Sequence, residues 1–282
     1  MEETQKSEGK LLEEKLFNKR KCGWTESSDE KIKLIMNFAD EYMYFMNNSK
    51  IEREVSIFAK DVLEKNGFKN IETLEHISIG DKVYYINREK SVYAAIIGKE
   101  GLEAGLNIVG AHIDSPRLDL KPNPIYEDSG FVYLNTQYYG GIKNYQWTTI
   151  PLAIHGVIVK ANGEKTTFKL GEDENDPIFT ITDLLPHLAR EQLKKPLANG
   201  VEGESLDLLI GSIPYKDESV SQKVKLNILK LLNDKYGITE RDFLSAEIEL
   251  VPAFKARSLG FDRSMVAAYG QDDKVCCFTG LR

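Results

Sequence analysis

The sequence predicts an α/β fold, and three observations support this class. Two early segments repeat apolar residues at helical spacing, and the period then changes to two, which is typical of strands. A short apolar run at 106–109 follows and indicates a buried strand. Helices first, then strands that include a buried one, are the pattern of an α/β layer structure.

Two helices are predicted near the start of the chain. The first begins at 27–30, where hydroxyls and acids suit the positive end of a helix, and its apolar stripe continues to Met46. The second covers 51–66, with Gly67 as its stop. Residues 1–28 are rich in Glu and Lys, and we interpret them as a mobile or partly helical arm.

Patterns of period two predict the strands. Two runs, 83–87 and 92–97, form a hairpin ahead of the buried strand. From about residue 120 to residue 252 short β-like runs dominate, apart from one long helix at 219–236. We therefore predict a mostly β module that is inserted after the buried strand, and a final strand at 247–254 that leads back out of it.

Composition limits the partners. The chain has 282 residues with 37 basic and 44 acidic side chains, a net charge of −7, and no basic stripe, which argues against nucleic acid. No apolar run reaches the roughly 18 residues of a membrane span, and the charged N-terminus lacks the apolar core of a secretory signal. Three cysteines, two of them adjacent, fit a reducing compartment. We expect a cytoplasmic protein without a nucleic-acid or membrane partner.

Two polar clusters flank the predicted β module. His112 and Asp114 follow the apolar run two residues apart, so both side chains would project from one edge of the sheet. An imidazole binds a metal through one nitrogen while a carboxylate holds the proton on the other, and a loop aspartate such as Asp272 could bridge two metals. Each cluster alone also has an ordinary interpretation, as a histidine beside a turn and as a helix cap at Asp272-Asp273. A metal site and ordinary structure therefore remain open alternatives at this point.

Six runs of sequence carry a specific resemblance. In chain order they read GAHIDSPRLDLKPNP, YYGGIKNYQW, IPLAIHG, DLLPHL, VPAF and FDRSMVAAYGQDDKVC. They resemble the aspartyl aminopeptidase family of dinuclear zinc metallo-aminopeptidases. The resemblance implies a zinc-exopeptidase-like catalytic domain, with helices packed on a mixed central sheet, that is interrupted by an inserted β-rich dimerisation domain. It places the catalytic domain at 1–119 and 251–282, with 1–28 as its arm, and the inserted domain at 120–250.

The resemblance also implies roles for four residues. His112 would be a metal ligand, and Asp272 would bridge two divalent metal ions, expected to be zinc. Asp114 would be the catalytic-site carboxylate that orients His112. His155 would reach the active site of a neighbouring subunit and contact substrate, and the alternative is a strand-edge histidine in a dimer interface.

The implied activity is removal of N-terminal residues from peptides with a free N-terminus, by a water activated between the two zinc ions. Homodimers that assemble into a homododecamer are implied as well. The family's Glu-Glu pair, a further Asp ligand and a distal His follow its Asp-Asp motif, and residues 274–282 contain no such side chain. The sequence therefore predicts a catalytic domain that is incomplete at its C-terminus. The alternative function is that of a catalytically inert, truncated chain acting as an oligomerisation scaffold.

Overall fold

The computed structural model describes residues 7–101 and 104–282, which form two compact units, one up to Glu41 and the other from Tyr42 to Arg282. The helices in these ranges are α1 (Glu8–Leu16), α2 (Gly23–Glu26), α3 (Asp29–Asn48), α4 (Glu52–Lys65), α5 (Leu197–Gly200), α6 (Lys223–Tyr236) and α7 (Gln271–Leu281). None of these helices combines the length and the apolar character that a membrane span needs.

The strands of the described ranges form three sheets. They are β1 (Lys69–Asn70), β2 (Lys82–Asn87), β3 (Ser91–Ile96), β4 (Arg117–Asp128), β5 (Phe131–Tyr139), β6 (Leu152–Val159), β7 (Lys165–Leu170), β8 (Leu208–Gly211), β9 (Ala246–Pro252), β10 (Arg257–Leu259) and β11 (Met265–Ala267). The first three strands make one sheet, with β1 parallel to β2 and β3 antiparallel to it. Helices and strands in this mixture give a mixed α/β fold.

The first unit contains the predicted arm and the start of α3. The arm holds two short helices, α1 and α2, without a buried residue, while its residues 1–6 lie outside the described part of the chain. Ser7 caps α1, since its hydroxyl accepts a hydrogen bond from the backbone N–H of Lys10 at 3.3 Å. Helix α3 begins at Asp29, which confirms the predicted helix start.

The largest sheet has six strands in the order β7-β6-β9-β4-β5-β8, and every pair is antiparallel. Its apolar side chains form the main core, in which Leu118, Leu152 and Leu250 are fully buried. Helix α6 packs against this core through Val224, Ile228 and neighbouring residues. The β-rich character predicted for this region is confirmed, while its insertion between two parts of another domain stays a prediction.

A second core joins three helices. Phe45 on α3, Val55 on α4 and Phe278 on α7 are buried together, and the rings of Phe45 and Phe278 stack with centroids 5.3 Å apart. The stripe of α4 and the second half of the α3 stripe therefore face this core, while Ile35 in the first half of α3 is 39% exposed. This packing fixes the position of α7, whose first turn carries Asp272.

The prediction of a buried strand at 106–109 is wrong. Residues 105–116 form no strand, and the side chains of Leu106, Ile108 and Val109 are 66%, 80% and 81% exposed. An apolar run becomes a buried strand only where a neighbouring strand accepts its backbone hydrogen bonds. In the part of the chain that the structure describes, no strand pairs with this segment.

Strand β4 contains Pro122 and Pro124, two residues that usually interrupt a strand. The strand runs through them with a shift of register between Leu120 and Ile125. Proline lacks the N–H that a ladder needs, and such an irregularity is where a strand tolerates it. The long helix predicted at 219–236 begins later, at Lys223, and ends at Tyr236 as predicted.

Candidate metal centre

His112 and Asp272 lie side by side although 160 positions separate them in the sequence. His112 Nε2 is 3.2 Å from Asp272 Oδ1, and His112 Nδ1 is 3.0 Å from Asp114 Oδ1. The Asp272 carboxylate is 96% exposed, so a ligand can reach it from solvent. The structure thus brings together the predicted residues His112, Asp114 and Asp272, and it leaves His155 outside this group.

The pair of His112 and Asp272 suits one edge of a zinc site. Nitrogen and oxygen donors at about 2.0–2.2 Å from a tetrahedral zinc stand roughly 3.3 Å apart, close to the observed separation. The second nitrogen of His112 already faces a carboxylate, which is the arrangement that metal-bound histidines show. Among residues 7–101 and 104–282, however, no group of three or more His, Cys, Asp or Glu side chains could hold a metal ion. The described residues therefore fit part of a zinc centre.

Several contacts hold the two segments of this site together. Tyr269 donates its hydroxyl to the carbonyl of Pro116 at 2.8 Å, just before α7. Ser115 is buried beside Gly270, whose φ of +77° and close approach to Ser115 leave no room for a side chain. Lys274 is fully buried and donates to the Lys50 carbonyl at 2.6 Å. The start of α7 is thereby fixed against the segment that carries His112.

The electrostatics of the site favour charge on both partners. Burial opposes the protonated form of His112, but Asp114 and Asp272 outweigh that effect and raise the pKa of the imidazole. Burial also opposes the charged form of Asp114, yet hydrogen bonds from Tyr139, from the backbone and from His112 lower the pKa of this carboxyl overall. Asp114 is therefore ionised beside His112 Nδ1 and can accept a hydrogen bond from a proton on that nitrogen.

Comparison with known proteins decides the family. Residues 45–282 match the model of the aminopeptidase I zinc metalloprotease family, M18. The chain belongs to this family. A probable M18 family aminopeptidase 1 from Clostridium acetobutylicum is 53% identical over 270 residues, which are 94% of this chain and 58% of that relative. The predicted resemblance to zinc aminopeptidases is confirmed.

Solved structures of M18 proteins share the fold. The crystal structure of the Thermotoga maritima M18 aminopeptidase superposes with a TM-score of 0.88 at 45% identity, over 94% of this chain and 57% of that one. The mApe1 dodecamer of S. cerevisiae is 22% identical with a TM-score of 0.65, over 88% of this chain and 55% of that one, and supports the fold alone. This chain spans a little over half the length of the M18 relatives it matches.

His155 lies in the interior, away from a surface that substrate could reach. It is fully buried on β6, an inner strand, with Nδ1 2.7 Å from Glu54 Oε1 and Nε2 3.3 Å from Glu172 Oε1. Lys50 neutralises Glu172 at 2.6 Å, and Lys169 lies at the rim of the same group. The contacts of this chain give His155 a structural role, so its contact with substrate stays a prediction. The alternative of a strand-edge position is wrong, because β6 pairs with a strand on each side.

We expect His155 to make the stability of the fold depend on pH. Burial opposes its charge, but Glu172 and Glu54 outweigh burial and raise its pKa above the ordinary value of 6.5. Because the folded-state pKa is the higher one, the protonated ring adds stability that is complete below about pH 6.5 and is lost as pH rises through the folded value. Urea unfolding of wild type and His155→Gln between about pH 6 and pH 9 measures this effect. The free energy of unfolding should fall more steeply in wild type, and equal slopes would contradict the assignment.

Sequence reasoning missed the residues that hold the metal-site segments in place. Tyr139 lies in a run that served only to establish the resemblance, and Lys274 follows the Asp-Asp pair directly. Burial lowers the pKa of Lys274 to about 8. A tyrosine or a lysine has no characteristic spacing from the groups it supports, so only three-dimensional contacts reveal these two.

Proposed function

We propose that this chain carries one edge of the zinc centre of an aminopeptidase that removes N-terminal residues from peptides. The observation that supports it is the separation of 3.2 Å between His112 Nε2 and the exposed Asp272 carboxylate, with Asp114 behind the histidine, in a member of the M18 family. Two zinc ions held there would supply the chemistry that activates a water and polarises the scissile carbonyl. His112 would bind one ion and Asp272 would bridge both.

The chain's own residues would prepare this centre. With metal bound, Asp114 would accept the proton on Nδ1 in a hydrogen bond, and Nε2 of His112 would bind the metal. Burial of Lys274 and its bond to the Lys50 carbonyl hold the turn that presents Asp272. The Asp114 and Asp272 carboxylates both contact His112, and Asp272 is also open to solvent.

The organisation of the whole protein is part of the same proposal. Residues 120–250 would be an inserted dimerisation domain, and 1–119 and 251–282 would belong to the catalytic domain. The chain would form homodimers that assemble into a homododecamer, as the family resemblance implies, and a yeast protein of the same fold is described as a dodecamer. Peptides with a free N-terminus would be the substrates, and His155 would approach them only if its surroundings rearrange in the assembly.

The test is hydrolysis of aminoacyl-p-nitroanilides by the native protein that carries this sequence. We expect release of the N-terminal residue, loss of activity with a chelator, and recovery with zinc. Asp272→Asn should lower kcat/KM by more than about 100-fold, because even residues that only support a metal ligand cost 10–100-fold. His76→Ala, a change at an exposed histidine with no assigned role, is the matched control and should be active. Activity that survives complete removal of metal would refute the proposal, and zinc-loaded protein without activity would favour the inert scaffold.

A further inference from the structure

The last residue of β5, Tyr139, contacts the supporting carboxylate of the candidate metal centre. Its hydroxyl donates to Asp114 Oδ2 at 2.6 Å, while Asp114 Oδ1 faces His112 Nδ1 at 3.0 Å. Each oxygen of the Asp114 carboxylate therefore has its own partner. A carboxylate held at both oxygens cannot rotate away from the imidazole without losing a hydrogen bond.

The ring of Tyr139 is stacked against a buried arginine. The Arg117 guanidinium lies over it, 4.1 Å from the ring centroid, which is the geometry of a cation–π contact. Arg117 is only 7% exposed and lies among three carboxylates, those of Glu52, Asp119 and Glu249. Tyr139 is 43% exposed, so the stacked arginine and the end of the strand fix its hydroxyl, rather than burial.

We propose that Tyr139 is a positioning residue for the metal centre, acting through Asp114 to hold the His112 ring in its observed orientation. In that orientation Nδ1 faces Asp114 and Nε2 faces Asp272, so Nε2 is the nitrogen that can bind metal. The inference rests on the proposed function, since it assigns a role toward the same centre. Tyr139 lies in the region proposed as the inserted domain and Asp114 in the region proposed as catalytic, so the contact would link the two.

Tyr139→Phe tests this with little risk to the fold, because it removes the hydroxyl and keeps the ring that stacks on Arg117. The control is Tyr138→Phe, the same change at the adjacent residue, whose 56% exposed ring lies near Gly203. The first readout is the ¹⁵N chemical shifts of the His112 ring in metal-free protein, at a pH well above its titration, assigned with His112→Ala. We expect the proton of the neutral ring to be shared between Nδ1, beside Asp114, and Nε2, beside Asp272, in wild type and in Tyr138→Phe, and to move toward Nε2 in Tyr139→Phe.

The second readout is zinc affinity, measured by competition with a chelating dye. Tyr139→Phe should bind zinc about 10–100-fold more weakly than wild type, the usual effect of losing a residue that supports a metal ligand, and Tyr138→Phe should bind as wild type does. An unchanged tautomer and unchanged zinc affinity in Tyr139→Phe would overturn the role of Tyr139 alone. Zinc binding that His112→Ala leaves unchanged would instead overturn the metal centre, and with it both proposals.

Discussion

Replacing Arg117 by methionine is expected to lower the free energy of unfolding by about 3–5 kcal/mol, because it leaves buried carboxylates without their shared cation. Arg117 Nε is 2.8 Å from both Asp119 Oδ1 and Glu249 Oε2. The third carboxylate, on Glu52, is 3.5 Å from Arg117 Nη1 and also forms an ion pair with Lys90 at 3.3 Å. Methionine has a similar length and no charge, so packing changes less than electrostatics.

The protonation of Glu249 modifies this expectation. Burial, and then the neighbouring charge of Glu52, raise the pKa of Glu249 to about 9, although Arg117 opposes the shift. The short distance to Arg117 alone would suggest an ionised pair, but Glu249 Oε2 forms no aligned hydrogen bond, and one guanidinium cannot neutralise three carboxylates. Glu249 is therefore largely protonated at neutral pH, and the Arg117→Met penalty should grow as pH rises toward 9.

Urea denaturation measures the effect, with Arg190→Met as the control, since Arg190 is exposed. An exposed substitution of this kind changes stability by no more than about 0.5 kcal/mol. If Arg117→Met lowered the free energy of unfolding no more than the control does, the arginine would not be neutralising this buried cluster.

Gly156→Ala is expected to destabilise the protein by about 2–5 kcal/mol, because overpacking costs typically 1–3 kcal/mol and a left-handed backbone adds roughly 1–2 kcal/mol for a residue with a side chain. Gly156 has a φ of +138° in the middle of β6. A Cβ there would lie 2.0 Å from the backbone oxygen of Glu247 and 2.8 Å from Ile248 Cα. Both obstacles are backbone, so β6 and β9 would have to separate.

Gly163→Ala isolates the contribution of that close approach. Gly163 also has a positive φ, +84°, in the turn between β6 and β7, but a Cβ there meets nothing within 4 Å. This control should therefore cost only the backbone strain of about 1–2 kcal/mol. Thermal or urea unfolding of the two variants gives the difference in their free energies of unfolding. Equal losses of stability would show that the close approach of β9 does not exclude a side chain at position 156.

The elements that the sequence predicted correctly are those that carry their own periodic signal. The apolar stripes of α4 and of the second half of α3 arise because each helix buries one face there, and residue order alone records that pattern. The hairpin of β2 and β3 was predicted as well, although neither strand buries every second residue. The run at 106–109 is apolar but pairs with no strand of the described residues. Its apolar residues alone therefore led to a wrong prediction of a buried strand. In β4 an irregular register accommodates Pro122 and Pro124, residues that usually interrupt a strand.

The candidate site could be predicted only in part for a related reason. His112 and Asp272 were recognisable because metal ligands are chemically distinctive and the clusters stand at motif positions. Tyr139, Lys274 and Arg117 support the site by contacts across long stretches of sequence, and those contacts exist only after folding. The burial of His155 between Glu54 and Glu172 was likewise invisible, because an alternating strand pattern does not say which strands will flank it.

The location of bound zinc tests the metal centre most directly. A crystal of the native protein grown with zinc, and measured at the zinc absorption edge, gives an anomalous difference map that places the metal. We expect a peak about 2.0–2.2 Å from both His112 Nε2 and an Asp272 carboxylate oxygen. Zinc bound at other side chains, with no peak beside His112, would contradict the assignment of these residues as its ligands.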